Sequence, residues 1–427
     1  MRESTGRLAS VDEASLVIDH AGQVNVFLIA GLLAAGGFVD RDGAADLAAL
    51  RAGLCARIAV IPALRRIPAP VGRRHRWVDA SPDLSHHIRL VDPVDGLGGL
   101  ERMCGELMTV PLPLDRPPWE LLVVPGAGAS QVGFVLRIHH VIADGVAALA
   151  IVEQLFEPDP QGQPQHLRSH PSPAATSPAP GPLGSSALSA LRRAGVGVRR
   201  VLTMVGGRGT GPTVLLGSCG PNRGVVFVDA DLTALRARAR PLPATVNDAL
   251  LAAAAAGYRS AMAAGGDHVP ADLPVSVPVA LRRRGTSSNQ IGVMRVLLPL
   301  AVTDSDARLR LVAARTREEK ALAREQGTLE FMRGPWGARI MDRVARRQHV
   351  VAGFITNLAG PAELRCLAGA PAVAIWPVAG LAGNVRLGVA AVSYAGRLRC
   401  SVHFDAAAVP GEVFAHAMKE ELTRAPG

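Results

Sequence analysis

The chain has 427 residues, 48% apolar and 19% charged, which supplies a sizeable core and excludes global disorder. Its length suits ~2 to 3 domains or one large bilobal unit. Aromatics are only 4%, too few for a base-stacking platform, so nucleic acid is not an expected partner. The formal charge is +10, and Lys320 and Lys419 are the only lysines, so the basic side chains are almost all arginine. Guanidinium forks match phosphate oxygens and favour anionic partners; a GC-rich genome leaves the same Ala/Arg/Gly/Pro bias.

In chain order, the N-terminal MRESTGRLASVDEASLVID lacks the basic-then-apolar design of an export signal. His86-His87 falls in an apparent strand and reads as structural. Phe134, Leu136 and Ile138 alternate with Val135 and Arg137, the period of a strand. Ala148, Ile151, Val152 and Leu155 follow at helical spacing. Residues 157–224 include EPDPQGQPQHLRSHPSPAATSPAPGPLGSS, whose composition is that of an extended linker. The expected division is therefore an N-terminal lobe of 1–156, a linker with a basic helix over 157–224, and a C-terminal lobe of 225–427. Within the linker, 187–207 carries Arg192, Arg193, Arg199 and Arg200 among small apolar residues. It reads either as a helix on an anionic membrane surface or as a lobe-joining helix with a solvated basic face. The cluster GGRGTG (206–211) lacks the Gly-Lys-Ser/Thr ending of a phosphate loop.

Beyond it, TVNDALLAAAAAGYRSAMAA is a strong helix former, and SDARLRLVAARTREEKALAREQ is amphipathic, with Ser305 or Asp306 placed to cap it. LPVSVPVAL, GVMRVLLPLAV, AVAIWPVAG and NVRLGVAAVSYAGRLRCSVHF read as strands. The fold class is α/β or α+β, sheets covered by helices. Cys55, Cys104, Cys219, Cys366 and Cys400 form no CxxC pair and suit reduced thiols in a cytoplasmic protein. The longest apolar run, 367–383, is short of a membrane span and contains Pro371 and Pro377.

The strongest local signal is His139-His140-Val141-Ile142-Ala143-Asp144-Gly145, at the strand–turn–helix junction. Strand alternation sends the two imidazoles to opposite sides, so His140 can face a cleft while His139 is held in structure. An imidazole with a pKa near ~6.5 suits proton removal from a hydroxyl. Asp144 reads as the cap of the following helix, or as one half of a buried ion pair that shapes the turn. Gly145 reads as a position needing an unusual backbone or a close approach. No third ligand accompanies His140 and Asp144, so no metal is expected, and VSYAG around Ser393 has the wrong flanks for a nucleophile elbow.

HHVIADG resembles the HHxxxDG motif of acyl-CoA- and carrier-dependent acyltransferases with the chloramphenicol acetyltransferase and condensation-domain fold. The flanks are similar to the bacterial wax ester synthase/diacylglycerol acyltransferase family: PLPLDRPPWEL with Arg116, Pro117, Trp119 and Glu120; Asn247-Asp248; VPVALR ending at Arg282; Asn289; TNLAGP with Asn357; SYAGRL and the closing AVPG. Pro118, Ser288 and Ala359 depart from the family pattern and bear on substrate range.

The resemblance implies two chloramphenicol acetyltransferase-like lobes with a channel between them. It implies transfer of a fatty acyl group from acyl-CoA, a substrate and not a cofactor, to a long-chain alcohol or diacylglycerol. His140 is then the general base, supported by His139, Asp144 and Gly145. Arg116, Pro117, Trp119, Asn247, Asp248, Arg282, Asn289 and Asn357 are then substrate-binding candidates, with Arg282 the expected partner of Asp144. Peripheral contact with the inner membrane face or a lipid droplet fits such substrates. Two other readings stay open: an enzyme of the same fold acylating a natural-product hydroxyl or amine from CoA or a carrier protein, and a non-catalytic docking module.

Overall fold

A computed structural model describes residues 4–19, 23–72, 74–159, 209–281, 290–326 and 335–425. The first part of the chain forms β1 (Ser4–Arg7), α1 (Ser10–Ile18), β2 (Val26–Leu33), α2 (Leu47–Val60), β3 (Arg66–Val71), β4 (Arg74–Asp79), α3 (Leu84–His87), β5 (Ile88–Leu90), α4 (Gly96–Leu107), β6 (Trp119–Gly128), β7 (Gln131–His139), α5 (Gly145–Leu155) and β8 (Glu157–Pro158). The second forms β9 (Arg223–Asp231), α6 (Leu232–Ala239), α7 (Val246–Ala264), β10 (Asp272–Leu281), β11 (Gln290–Pro299), α8 (Ser305–Gln326), α9 (Pro335–Ala345), β12 (Phe354–Ala359), β13 (Arg365–Leu367), β14 (Ala370–Val378), β15 (Leu387–Tyr394), β16 (Arg397–Asp405) and α10 (Gly411–Thr423). The expected basic helix at 187–207 lies outside the described residues.

Two large sheets define two lobes. The first runs β5-β6-β7-β2-β14-β13-β8 and the second β11-β10-β12-β15-β16-β9, with β1-β4-β3 as a small third sheet. Period-two alternation gives the first sheet two buried faces. Phe27, Ile29, Phe134, Leu136 and Ile138 share one core with Leu50, Leu54 and Ile58 of α2 and Ile151 and Leu155 of α5. Leu28, Ala30 and Val135 pack on the other face with Leu100 and Cys104 of α4. In the second lobe the alanine run of α7 lets Val275, Val277, Val389 and Val402 close over the helix, with Phe414 and Met418 of α10 beside them.

The lobes are not consecutive halves of the chain. β13 and β14, from the C-terminal part, lie in the first sheet, where Ile375 to Val378 pair antiparallel with Gly31 to Leu28. Residues 157–158, assigned above to the linker, pair with β13. At the seam, Trp376 of β14 stacks on Phe227 of β9, centroids 4.5 Å apart. Its Nε1 donates to Asp229 Oδ1 at 2.7 Å, and Asp229 also pairs with Arg399, whose Nη2 donates to the Val373 carbonyl at 3.0 Å.

Two local expectations are corrected. The cap of α8 is neither Ser305 nor Asp306 but Asp304, which accepts from the Ala307 amide at 2.7 Å; the Ser305 hydroxyl donates instead to buried Glu421, which pairs with Arg238 and Arg308. His86-His87 lies in α3, a one-turn helix capped by Asp83, not in a strand. Replacing Asp229 with Ala strands the Trp376 indole and the Arg399 guanidinium at the seam. Thermal or denaturant unfolding should register a loss of ~1–3 kcal/mol; an unchanged midpoint would mean the seam does not depend on this carboxylate.

Candidate active site

β7 ends where its ladder partner β2 begins, with His139 opposite Val26. The chain then turns sharply: the His140 amide donates to the Asn25 carbonyl at 3.0 Å and the Ile142 amide to the His139 carbonyl at 3.1 Å. The His139 ring is fully buried. Its Nδ1 accepts the Val141 amide at 2.9 Å, so its proton resides on Nε2, which donates to Asp19 Oδ2 at 3.1 Å. Asp19 Oδ1 accepts the Asn25 amide at 2.9 Å, and the Asn25 side chain donates to the Ser15 carbonyl at 2.8 Å. The turn is thus bolted to the end of α1 from both of its strands.

His140 points the other way. Its ring meets Phe27 edge-on, centroids 5.1 Å apart, and borders a cavity of about 630 Å³. Phe27 and Ile29 of β2 and Leu149 and Val152 of α5 supply one side of the lining; Phe354 and Leu358 of β12 and Val392 of β15 supply the other. Both sheets therefore build the wall. Among the described residues, Thr356 and Asn357 of β12 are polar residues on the second-lobe side with no side-chain hydrogen bond to another described residue. Tyr394 also borders the space, but its hydroxyl is engaged, donating to the Ala372 carbonyl at 2.7 Å and accepting the Arg365 amide at 3.0 Å. Loss of water around the His140 ring pushes its pKa down to about 4; the neighbouring His139 adds to this and Asp144 opposes it. The imidazole is neutral at physiological pH and free to accept a proton.

Asp144 is exposed and caps α5, its Oδ1 accepting the Val146 and Ala147 amides at 3.1 and 2.8 Å. Arg282, its expected ion-pair partner, lies outside the described residues, as does Asn289. Gly145 has no positive φ, and a Cβ there would meet only Leu358 Cδ1, at 3.9 Å. The backbone reason expected for this glycine therefore does not hold: its bareness leaves room in the cavity it borders.

Among the described residues expected to bind substrate, Asn357 lines the cavity and Arg116, Pro117, Trp119, Asn247 and Asp248 do not. Arg116 turns outward to Asp115 and His86. Pro117 is buried, and Trp119 stacks on His87 at 4.5 Å while its Nε1 donates to the Leu64 carbonyl at 2.9 Å. The adjoining Glu120 pairs with Arg89 and Arg137. Asn247 sits in the first turn of α7, and buried Asp248 closes a capping box with Thr245 and accepts the Thr316 hydroxyl at 2.6 Å. Asp19 was not singled out by sequence reasoning; it lies 120 residues from His139, and no local spacing links them.

Two lobes that share a channel, with the HHxxxDG turn projecting an unprotonated imidazole into it, define an acyltransferase of the chloramphenicol acetyltransferase and condensation-domain fold. Sequence profiles described as the wax ester synthase/diacylglycerol acyltransferase catalytic domain and the WS/DGAT C-terminal domain match residues 8–250 and 287–424. The chain belongs to this family. A Mycobacterium tuberculosis protein named "Probable diacyglycerol O-acyltransferase" is 26% identical over 384 residues, covering 82% of this chain and 81% of its own. The wax ester synthase/diacylglycerol acyltransferase of Marinobacter aquaeolei superposes with a TM-score of 0.74 at 19% identity, covering 98% of each chain. The first condensation domain of the CDA synthetase gives 0.60 at 16% identity, covering 100% of this chain and 97% of its own. Among the described residues, no helix is long and apolar enough to cross a membrane.

Asp144→Ala should cost only the cap, ~0.5–2 kcal/mol by thermal denaturation; a loss above that range would reveal a buried partner. The His140 ring also sets a pH dependence. Protonation removes the base, so the acid limb of kcat/KM for the free enzyme should fall near pH 4, not near the ordinary 6.5. Between those values the unfolded ring binds a proton that the folded ring does not, so this group's linkage lowers stability as pH drops from 6.5 to 4. An acid limb at 6.5 would place His140 in water.

Proposed function

We propose that this acyltransferase moves a fatty acyl group from acyl-CoA to a long-chain alcohol or a diacylglycerol, with His140 as general base in a direct ternary complex. The observation that carries the reading is the His140 imidazole at the wall of a cavity that is otherwise mostly apolar. His140 takes the proton of the acceptor hydroxyl as its oxygen attacks the thioester carbonyl carbon. The carbonyl π-electrons move onto oxygen, giving a tetrahedral oxyanion beside Thr356 and Asn357, the candidate donors. Collapse reforms the carbonyl and breaks the C–S bond, and the sulfur leaves with the proton that the imidazolium returns. No acyl-enzyme is required, because a positioned base and two bound substrates suffice. His139 and Asp19 act as positioning residues that hold the turn. Arg116, Pro117, Trp119, Asn247 and Asp248 support the fold around the site, and Asn357, which borders the cavity, is the described candidate for a substrate contact. A cytoplasmic enzyme working at the inner membrane face or on a lipid droplet fits substrates of this kind.

The likeness to a condensation domain favours a second reading, in which the acceptor is a natural-product hydroxyl or amine and the donor CoA or a carrier protein. Thiol release from palmitoyl-CoA, measured with hexadecanol, with a diacylglycerol and with no acceptor, separates the two. Acceptor-dependent release should drop at least ~10²-fold in His140→Ala while the fold persists. Near-normal turnover in that variant would remove His140 as the base, and no release with either lipid acceptor would move the assignment to the second reading.

A further inference from the structure

A second cavity, of about 770 Å³, lies between α1 and α9, apart from the catalytic one. Arg339, Arg343, Arg346 and Arg347 line one wall; Glu13, Val17 and His75 are on the other. The spacing of the arginines at three and four residues places them on one side of the helix and its C-terminal extension. Arg346 pairs with Asp342 at 2.8 Å, and Glu13 is taken by His75, through the ring at 3.0 Å and the backbone amide at 2.6 Å. Among the described residues, Arg339, Arg343 and Arg347 have no carboxylate partner. The acids of this cavity are thus already engaged, while arginines without a carboxylate partner line the same space and remain available to an anion with several oxygens.

The position of this cavity narrows the anion. Val17, in its wall, is two residues from Asp19, whose carboxylate holds His139 beside His140. At the other end, the Ala345 carbonyl of α9 accepts the Asn384 amide at 3.1 Å. Gly383 has a φ of 65°, and a Cβ there would lie 2.6 Å from that carbonyl, so the contact requires glycine. Ala379, four residues earlier, borders the catalytic cavity, and four residues span at most ~14 Å. This segment links the neighbourhood of the arginine cavity to the rim of the catalytic one. We infer that this arginine cavity binds the phosphates at the nucleotide end of acyl-CoA, leaving the thioester beside His140. The inference rests on acyl-CoA being the donor. Phospholipid headgroups share the same chemistry, and Ile340 and Val344 on α9 are 53% and 46% exposed; a concave site that chain contacts link to the rim of the catalytic cavity favours the nucleotide.

The test compares Arg343→Glu/Arg347→Glu with a charge-matched control, Arg41→Glu/Arg310→Glu, on the full chain. The reversal in the cavity should raise KM for palmitoyl-CoA at least ~10-fold, leave KM for palmitoyl-pantetheine unchanged and weaken CoA binding in calorimetry to match. The control should shift none of these. Equal KM values for palmitoyl-CoA in wild type and cavity variant would overturn the site, as would loss of phosphatidylglycerol-vesicle binding with CoA binding intact, which assigns the arginines to lipid. Should the wild type turn over no acyl-CoA, the proposed donor fails instead, and calorimetry with CoA still decides the cavity: unchanged affinity in the variant overturns it, weakened affinity supports it.

Discussion

The Asp19 carboxylate accepts hydrogen bonds from two strands, one oxygen holding the start of β2 through Asn25 and the other the end of β7 through His139. A buried imidazole held on both nitrogens cannot rotate, so the next residue along the turn has one direction available to it. That direction leads into the cavity. Desolvation then keeps the second imidazole unprotonated, outweighing the nearby Asp144 carboxylate. The two histidines thus divide one problem: the first accepts complete burial so that the second can meet substrate in a defined orientation. Asp144, by contrast, serves the helix that starts one residue later.

The cavity exists because two sheets approach without merging. β2 and α5 supply one wall, β12 and β15 the other, and the seam beside it is fastened by Trp376, Phe227, Asp229 and Arg399. β14 belongs to the first sheet by pairing but reaches the seam with its side chains. It therefore fixes the spacing of the two walls as well as the edge of the first core.

Much of this was legible in the residues. The strand before His139 and the helix after Asp144 follow from apolar periodicity, and the helix over 305–326 lies where its amphipathic pattern put it. Strand alternation alone separates the two imidazoles. What could not be read was long-range. No spacing rule joins Asp19 to His139, and a Pro-rich stretch marks a boundary in composition without revealing that β13 and β14 cross back over it. Trp119 and Asp248, which carry part of the family resemblance, are held by Leu64 and Thr316, neighbours distant in sequence. Ser305 failed as a cap for the reverse reason: a buried glutamate over a hundred residues away claims its hydroxyl.

The return of β14 to the first sheet has a consequence for biosynthesis. β2 meets β7 on one side and β14 on the other, so the centre of the N-terminal lobe stays an open, apolar edge until residues 370–378 have left the ribosome. β7 can cover one edge of β2 early, but nearly the whole chain must be synthesised before the other is covered. The nascent protein thus carries an exposed hydrophobic strand for most of its translation, and the lobe that holds the histidine turn is completed only by some of the last residues made.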